Sequence, residues 1–410
     1  MTGFLVEFRR TPLRWAALPL FAAAAAMIFF VGDPWQGSWP ETSAASTRAA
    51  VPLMIAGVGL AAQQSSRLRR SGSDLLLTAR PLPQVELARL AADAAWLCLV
   101  YVLCTACAWI TAAGAPGGPW LDYPLFGLSG IIFALALGHF IGRIAPTRFT
   151  GAIAAIGGFL LFSLVFSSNS SPLAYIAFYH SIDVRISSAH LAWRLAITVL
   201  ALAAACTVGW VLESSGRRKS TSITGVFFSA ATLIAIGAMP GNGSLLLEGR
   251  QAEEPVCAPS GESSVCVWPE HADRLPEAVE AARKVAQAAE GVLSPPARYM
   301  EQGLGEGGTG GFTLDHGPRD LLHTVLIEMT DSHKNWCEEE SEKKMQIRVD
   351  AGLRLEAWLE ARATRSTQLP SYEYSGDTSW QQDVLKVMKL PDSQQVEFAT
   401  QWAKEMRTPC

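Results

Sequence analysis

Few residue groupings in this chain have the types that catalysis or metal binding needs, and their spacing argues against each. His323, Glu328 and His333 are too widely spaced to form the H-E-x-x-H face that holds zinc on a helix. Asp315-His316 looks like part of a hydrolase pair, yet no serine on a G-x-S-x-G turn accompanies it. The run GLGEGGTGG, Gly303 to Gly311, has the glycines of a phosphate cradle without the P-loop lysine, and reads as a flexible loop. No catalytic residue, metal ligand or cofactor site is expected, and the chain does not read as an enzyme.

Recognition of a partner is the chemistry that the pattern favours. Gln63 to Leu90 is a basic stretch between two apolar runs, with Arg67, Arg69, Arg70, Arg80 and Arg89 against Asp74 and Glu86. Such an arginine excess marks a cytoplasmic loop. Within it Ser73-Asp74-Leu75-Leu76-Leu77 reads as a short amphipathic helix with an acid in its first turn, stopped by Arg80-Pro81-Leu82-Pro83. A short surface helix with an apolar triplet suits a groove on another protein; resting on lipid headgroups is the plainer alternative.

The elements that carry this stretch follow from composition. Half of the 410 residues are hydrophobic and 17% are charged, too apolar for an ordinary soluble chain. Acids are sparse up to about residue 240 and exceed bases beyond it, so a basic membrane half (1–243) joins an acidic second half (244–410). The net charge of −4 carries no nucleic-acid signature. Apolar runs near 15–31, 47–62, 91–113, 123–141, 150–166, 191–212 and 222–239 predict about seven transmembrane helices. Pro52 makes the second run short, so it is expected to extend upstream through Thr47. Asp33-Pro34-Trp35 follows the first run in place of a cleavage site, which makes it a retained span.

Arg9, Arg10 and Arg14, then Arg143 and Arg148, then Arg217, Arg218 and Lys219 fall on the same side as the long loop. The amino terminus is therefore expected in the cytoplasm of a multi-pass plasma-membrane protein, and the carboxyl-terminal half outside. Trp35, Trp39, Trp120 and Tyr123 are expected as interfacial aromatics at outer span ends. Tyr175 to Ile182 is expected to lie in the outer interface, as a gate or a cap. His139 and Asp93 read as snorkelling or helix-packing groups rather than proton relays.

The second half predicts a helix-rich α+β domain. Helical periodicity covers 276–289, 319–330, 353–363, 380–388 and 392–406, with Asp392 as the cap of the last. Strands are expected at Val265 to Trp268 and Gln346 to Val349. Cys98, Cys104, Cys107 and Cys206 fall in spans as packing residues, whereas Cys257, Cys266, Cys337 and Cys410 fall where disulfides persist. Cys257 and Cys266 flank the turn-rich APSGESSV and are expected to close a small loop, leaving Cys337 to pair with Cys410. A zinc site competes poorly, because no C-x-x-C occurs.

The segment Gly72-Ser73-Asp74-Leu75-Leu76-Leu77-Thr78-Ala79-Arg80-Pro81-Leu82-Pro83, with the helix that follows, resembles the coupling segment of membrane subunits of type-2 ABC exporters. Leu137 to Pro146, LGHFIGRIAP, is similar to that family's fourth-span exit, and the resemblance covers roughly residues 1 to 215. It implies a permease subunit, a homodimer or a heterodimer with a second permease, set in membrane lipid and moved by a separate cytoplasmic ABC ATPase that touches Asp74, Leu75, Leu76, Leu77, Arg80 and Pro81. The family core has six spans, so the seventh and the outer domain are additions; VC…VCVWPEH and the terminal cysteine resemble permease-like proteins of high-GC bacteria. The competing class is a membrane-anchored extracytoplasmic binding or sensory protein without transport activity.

Overall fold

The computed structural model describes residues 2–31, 35–36, 38–71, 82–163, 182–213, 230–232, 246–251, 254–305, 311–314, 318–333, 342–367, 369 and 379–407. The chain divides into two compact units, Met1–Glu248 and Gly249–Cys410.

The first unit is helical. Its elements are α1 (Thr2–Arg10), α2 (Leu13–Phe29), α3 (Trp39–Ser46), α4 (Ala50–Ser71), α5 (Leu82–Thr111), α6 (Asp122–Ile144), α7 (Thr150–Leu161) and α8 (Ser188–Glu213), with β1 (Val184–Ile186) paired to β2 (Leu247–Gly249). Among the described residues, four helical stretches are long and apolar enough to cross a membrane: Trp39–Arg70, Glu86–Thr111, Asp122–Ile144 and Ser188–Thr207. A fifth is formed if α1 and α2, bent by 64°, count as one. The bend falls at Thr11-Pro12, where proline removes a helical donor.

Several expectations change. The second span begins at Trp39, well upstream of Thr47, because a 3-10 turn at Thr47–Ala49 carries α3 into α4. The run at 150–166 is α-helical over Thr150–Leu161 and continues as a π turn through 162–163, and residues 164–166 lie outside the described residues. Of the seventh run, 222–239, only 230–232 are described, as helix. Seven spans are thus not shown. Trp35 is buried among helices, and Trp120 and Tyr123 are buried against Ile186 of β1 and Leu247 of β2, rather than presented to an interface; the Trp35 indole donates to the Ile28 carbonyl at 2.8 Å, which gives its polar edge a protein partner.

Neighbour pairs fix the helix directions. Val58 meets Gly138 and Ala62 meets Gly142, so α4 and α6 run parallel. Gly59 lies against Ala155 and Gln63 against Gly151, so α7 runs antiparallel to α4. Tyr101 packs on Gly127 and Glu86 pairs with Arg143, which makes α5 antiparallel to α6. Thr198 bonds the Ser129 carbonyl at 3.3 Å, and Ala136 shares a cluster with Ala205, so α8 parallels α6. Thr11 bonds Asp93 and Cys104 approaches the Phe21 carbonyl, so α2 parallels α5. Helices α2, α5 and α7 therefore oppose α4, α6 and α8, the alternation that a chain crossing a bilayer back and forth requires. Ile153, Ile156 and Phe159 on α7, Val102 and Ile110 on α5 and Val199 on α8 are exposed, as lipid-facing positions would be.

Glycines set the contact between α4 and α6. A Cβ on Gly138 would run into the Val58 backbone, and one on Gly142 would sit 2.7 Å from Ser65 Cβ. Only the missing side chains let α6 lie this near to α4, the small-xxx-small geometry of membrane helices.

The second unit has its own core, built around Trp358, Trp380, Leu326, Leu355, Val285 and Met329. Strands β3 (Val256–Ser260), β4 (Ser263–Val267) and β5 (Arg298–Met300) form a sheet in that order, β3 and β4 antiparallel and β4 and β5 parallel. Gly261, at φ 64°, opens the two-residue turn of the β3–β4 hairpin, a conformation glycine adopts without a Cβ penalty. Helices α9 (Leu275–Ala288), α10 (Pro318–Asp331), α11 (Glu342–Thr364), α12 (Ser379–Val387) and α13 (Asp392–Met406) complete the unit. The expected strand at Gln346 to Val349 is instead part of α11. Met345, Ile347 and Val349 alternate like a strand but are exposed on the helix. Pro391, not Asp392, occupies the cap position of α13, and Asp392 sits in the first turn, where its charge still favours the helix dipole.

Candidate functional site

Asp74, Leu75, Leu76, Leu77, Arg80 and Pro81, the residues expected to couple to a partner, lie outside the described residues. The structure does describe what flanks them: α4 ends at Ser71 and α5 begins at Leu82.

These two helix ends meet in a buried ionic cluster. Glu86 on α5 is fully buried and pairs with Arg143, itself 1% exposed, in the last turn of α6. His139, one turn earlier on α6, places Nε2 at 3.8 Å from the same carboxylate oxygen. Its Nδ1 shares a 2.6 Å hydrogen bond with the Ser65 hydroxyl on α4. Arg69, near the end of α4, donates to the Arg143 backbone carbonyl, one of the helix-end acceptors left without an intrahelical partner. The α4 end, the α5 start and the α6 end are thereby tied at one point.

Further contacts extend the tie to the amino terminus. The Thr11 hydroxyl donates to Asp93 on α5 at 2.5 Å, and Arg89 faces Glu7 at 3.5 Å. Phe8 stacks on Trp96 with ring centroids 4.8 Å apart, and the Trp96 indole donates to the Phe8 carbonyl. His139 and Asp93 thus act as helix-packing groups with named partners, not snorkelling ones. The helix directions gather Arg9, Arg10, Arg14, Arg67, Arg69, Arg70, Arg89, Arg143 and Arg148 at this one face. The opposite face holds Glu41, Arg48, Asp122, Asp183, Arg185 and Arg194.

A buried pair of this kind owes its geometry to tertiary assembly. Isolated, each charge would face a desolvation cost of several kcal/mol; together, with His139 and the carbonyl contacts, they make a rigid junction. Sequence reasoning noted Glu86 only as a charge in the loop and did not pair it with Arg143. The available signal was Gly138-x-x-x-Gly142 around His139, which marks α6 as a close-packing helix.

In the second unit Asp315 and His316 lie outside the described residues, and His323, Glu328 and His333 are dispersed. His323 faces Glu360 at 3.1 Å, His333 meets the Ser294 carbonyl at 2.8 Å, and Glu328 accepts from the Met300 amide at 2.7 Å. They share no centre, and among the described residues no group of three or more His, Cys, Asp and Glu side chains could hold a metal ion. Burial, opposed by hydrogen bonds from the Met300 and Phe312 amides, pushes the Glu328 carboxyl up to about 7. Burial likewise raises the Tyr299 phenol. Glu301, 1% exposed, accepts from the Trp268 amide at 2.8 Å and meets His271 Nδ1 at 2.5 Å, which locks the end of β4 to the segment after β5.

Cys257 and Cys266 are bonded to each other, directly opposite across β3 and β4. Cys337 and Cys410 lie outside the described residues. Cys98, Cys104, Cys107 and Cys206 are free thiols.

Residues 265–408 match the family model for a domain of unknown function (DUF7224). The match begins in β4 and takes in every helix of the second unit from α9 to α13. No curated protein and no solved structure matches the chain.

Proposed function

We propose that this chain is the membrane subunit of an ABC-type export system, coupled through residues 72–81 to a separate cytoplasmic ATPase. The supporting observation is the junction of Glu86, Arg143, His139, Ser65 and Arg69. Both ends of the proposed coupling segment are fastened there to α6, so a displacement of the segment passes into the α4–α6 pair instead of being absorbed by frayed helix ends. The gathering of arginines at the same face supports a cytoplasmic location for it. The amino terminus would then be inside, and a further span within 222–239 would carry the second unit outside. Two such membrane subunits would enclose the pathway.

Leu76→Asp tests the coupling. It removes the burial of one leucine, worth roughly 1.5–3 kcal/mol, and introduces a charge into a desolvated groove. The full chain should reach the membrane in normal amount while a P-loop ATPase no longer co-purifies. If the wild type brings down no such ATPase, or the variant retains it fully, the reading fails, and an anchored binding or sensory protein becomes the better account.

A further inference from the structure

A cleft of about 600 Å³ opens between α4 and α7 on the flank of the first unit. Its walls are Pro52, Ile55, Ala56 and Leu60 on α4 with Ala152 and Ala155 on α7. The floor is closed because the two helices touch at small residues: a Cβ on Gly59 would lie 2.9 Å from Ala155 Cβ. The end of the cleft is closed by Gln63, whose side-chain oxygen accepts from the Gly151 amide at 3.2 Å. Beside Gln63 stand Arg148 and Phe149, both exposed.

We propose that this cleft holds one acyl chain of an anionic phospholipid, with the lipid phosphate on Arg148. The wall from Pro52 to Gln63 spans about 16 Å of helix rise, close to half of a hydrocarbon core of about 30 Å, the depth of a single leaflet. Arg148 lies at the end of the cleft on the arginine-rich face, where the headgroups of that leaflet would lie. A small free anion would use only this end and leave the apolar length empty. The site stands apart from the transport reading, since it needs only that the helices lie in a bilayer.

Native mass spectrometry of the full chain in mild detergent, titrated with phosphatidylglycerol or phosphatidylcholine, tests the site. The wild type should retain one phosphatidylglycerol in preference to phosphatidylcholine. Arg148→Ala, a change at an exposed position that leaves the fold intact, should weaken phosphatidylglycerol about fivefold, the worth of one arginine at an anionic surface, and abolish the preference. Ala56→Trp fills the cleft and should remove retention of both lipids. Equal retention of the two lipids by the wild type, an unchanged preference in Arg148→Ala, or loss of the preference on adding inorganic phosphate would each overturn the proposal. So would a two-chain species that Ala56→Trp converts to single chains, which would assign the cleft to a second copy.

Discussion

Replacing Arg143 by methionine should destabilise the first unit more than any single surface change, and the reason lies in what remains. Glu86 would stay fully buried with its guanidinium partner gone and, among the described residues, His139 at 3.8 Å near its carboxylate. Removing one member of a buried pair costs about 3–5 kcal/mol, most of it the penalty of the stranded ion. For a unit of this size that corresponds to a fall of about 6–20 °C in melting temperature. Glu86→Met should also destabilise, since it removes the buried carboxylate to which Arg143 donates. The double variant removes both charges, and a well-packed apolar replacement is commonly neutral or stabilising. It should therefore melt above either single variant. The assay is heating of the detergent-solubilised full chain followed by size-exclusion of the surviving fraction, run on all four members of the cycle. Additivity within about 0.5 kcal/mol would show that the two residues act independently and would refute the junction as a unit.

Gly142→Leu should separate α6 from α4, because the new side chain would occupy the space of Ala62 and Ser65; the expected cost is about 3 kcal/mol or more, read in the same melting assay. Glu328 titrates near 7 when folded against 4.5 for the ordinary carboxyl, so the folded state holds the extra proton between these values. The associated stability, up to about 3 kcal/mol, is complete below pH 4.5 and lost as pH rises through about 7. Melts of the full chain at pH 5 and pH 8, with the second unit followed by limited proteolysis, should show this fall, and Glu328→Gln should flatten it. Replacing Cys257 and Cys266 together by serine should cost about 2–3 kcal/mol for so short a loop; alkylation of both thiols in the non-reduced wild type would disprove the bond.

Periodic features of the chain were legible without a structure, and paired ones were not. Helix α13 matches its expected bounds because Ala399, Trp402, Ala403 and Met406 recur at helical spacing and face the core. The Cys257–Cys266 bond was legible because the intervening residues form a turn whose chemistry is local. Gln346 to Val349 misled because its alternation of apolar residues reports no sheet; they are exposed on a helix. The burial of Trp35 and Tyr123 was missed because an aromatic near a span end looks the same whether it faces lipid or a neighbouring element. Glu86 and Arg143 are 57 residues apart, and only the antiparallel packing of α5 on α6 makes them partners.

The same junction bears on how the protein is made. Translation delivers α4 and α5 to the insertion machinery before α6 exists, so Glu86 emerges at the head of an apolar helix with neither Arg143 nor His139 to receive it. As the first residue of the apolar stretch Glu86–Thr111, an unpaired carboxylate is best received by water and headgroups at its edge. The α4–α5 hairpin therefore has reason to linger at a hydrated boundary until the ribosome has supplied α6, whose two glycines then admit it against α4. Chains truncated before residue 143 would lack Arg143, which makes α4–α5–α6 the smallest run of these helices in which the Glu86 pair can close.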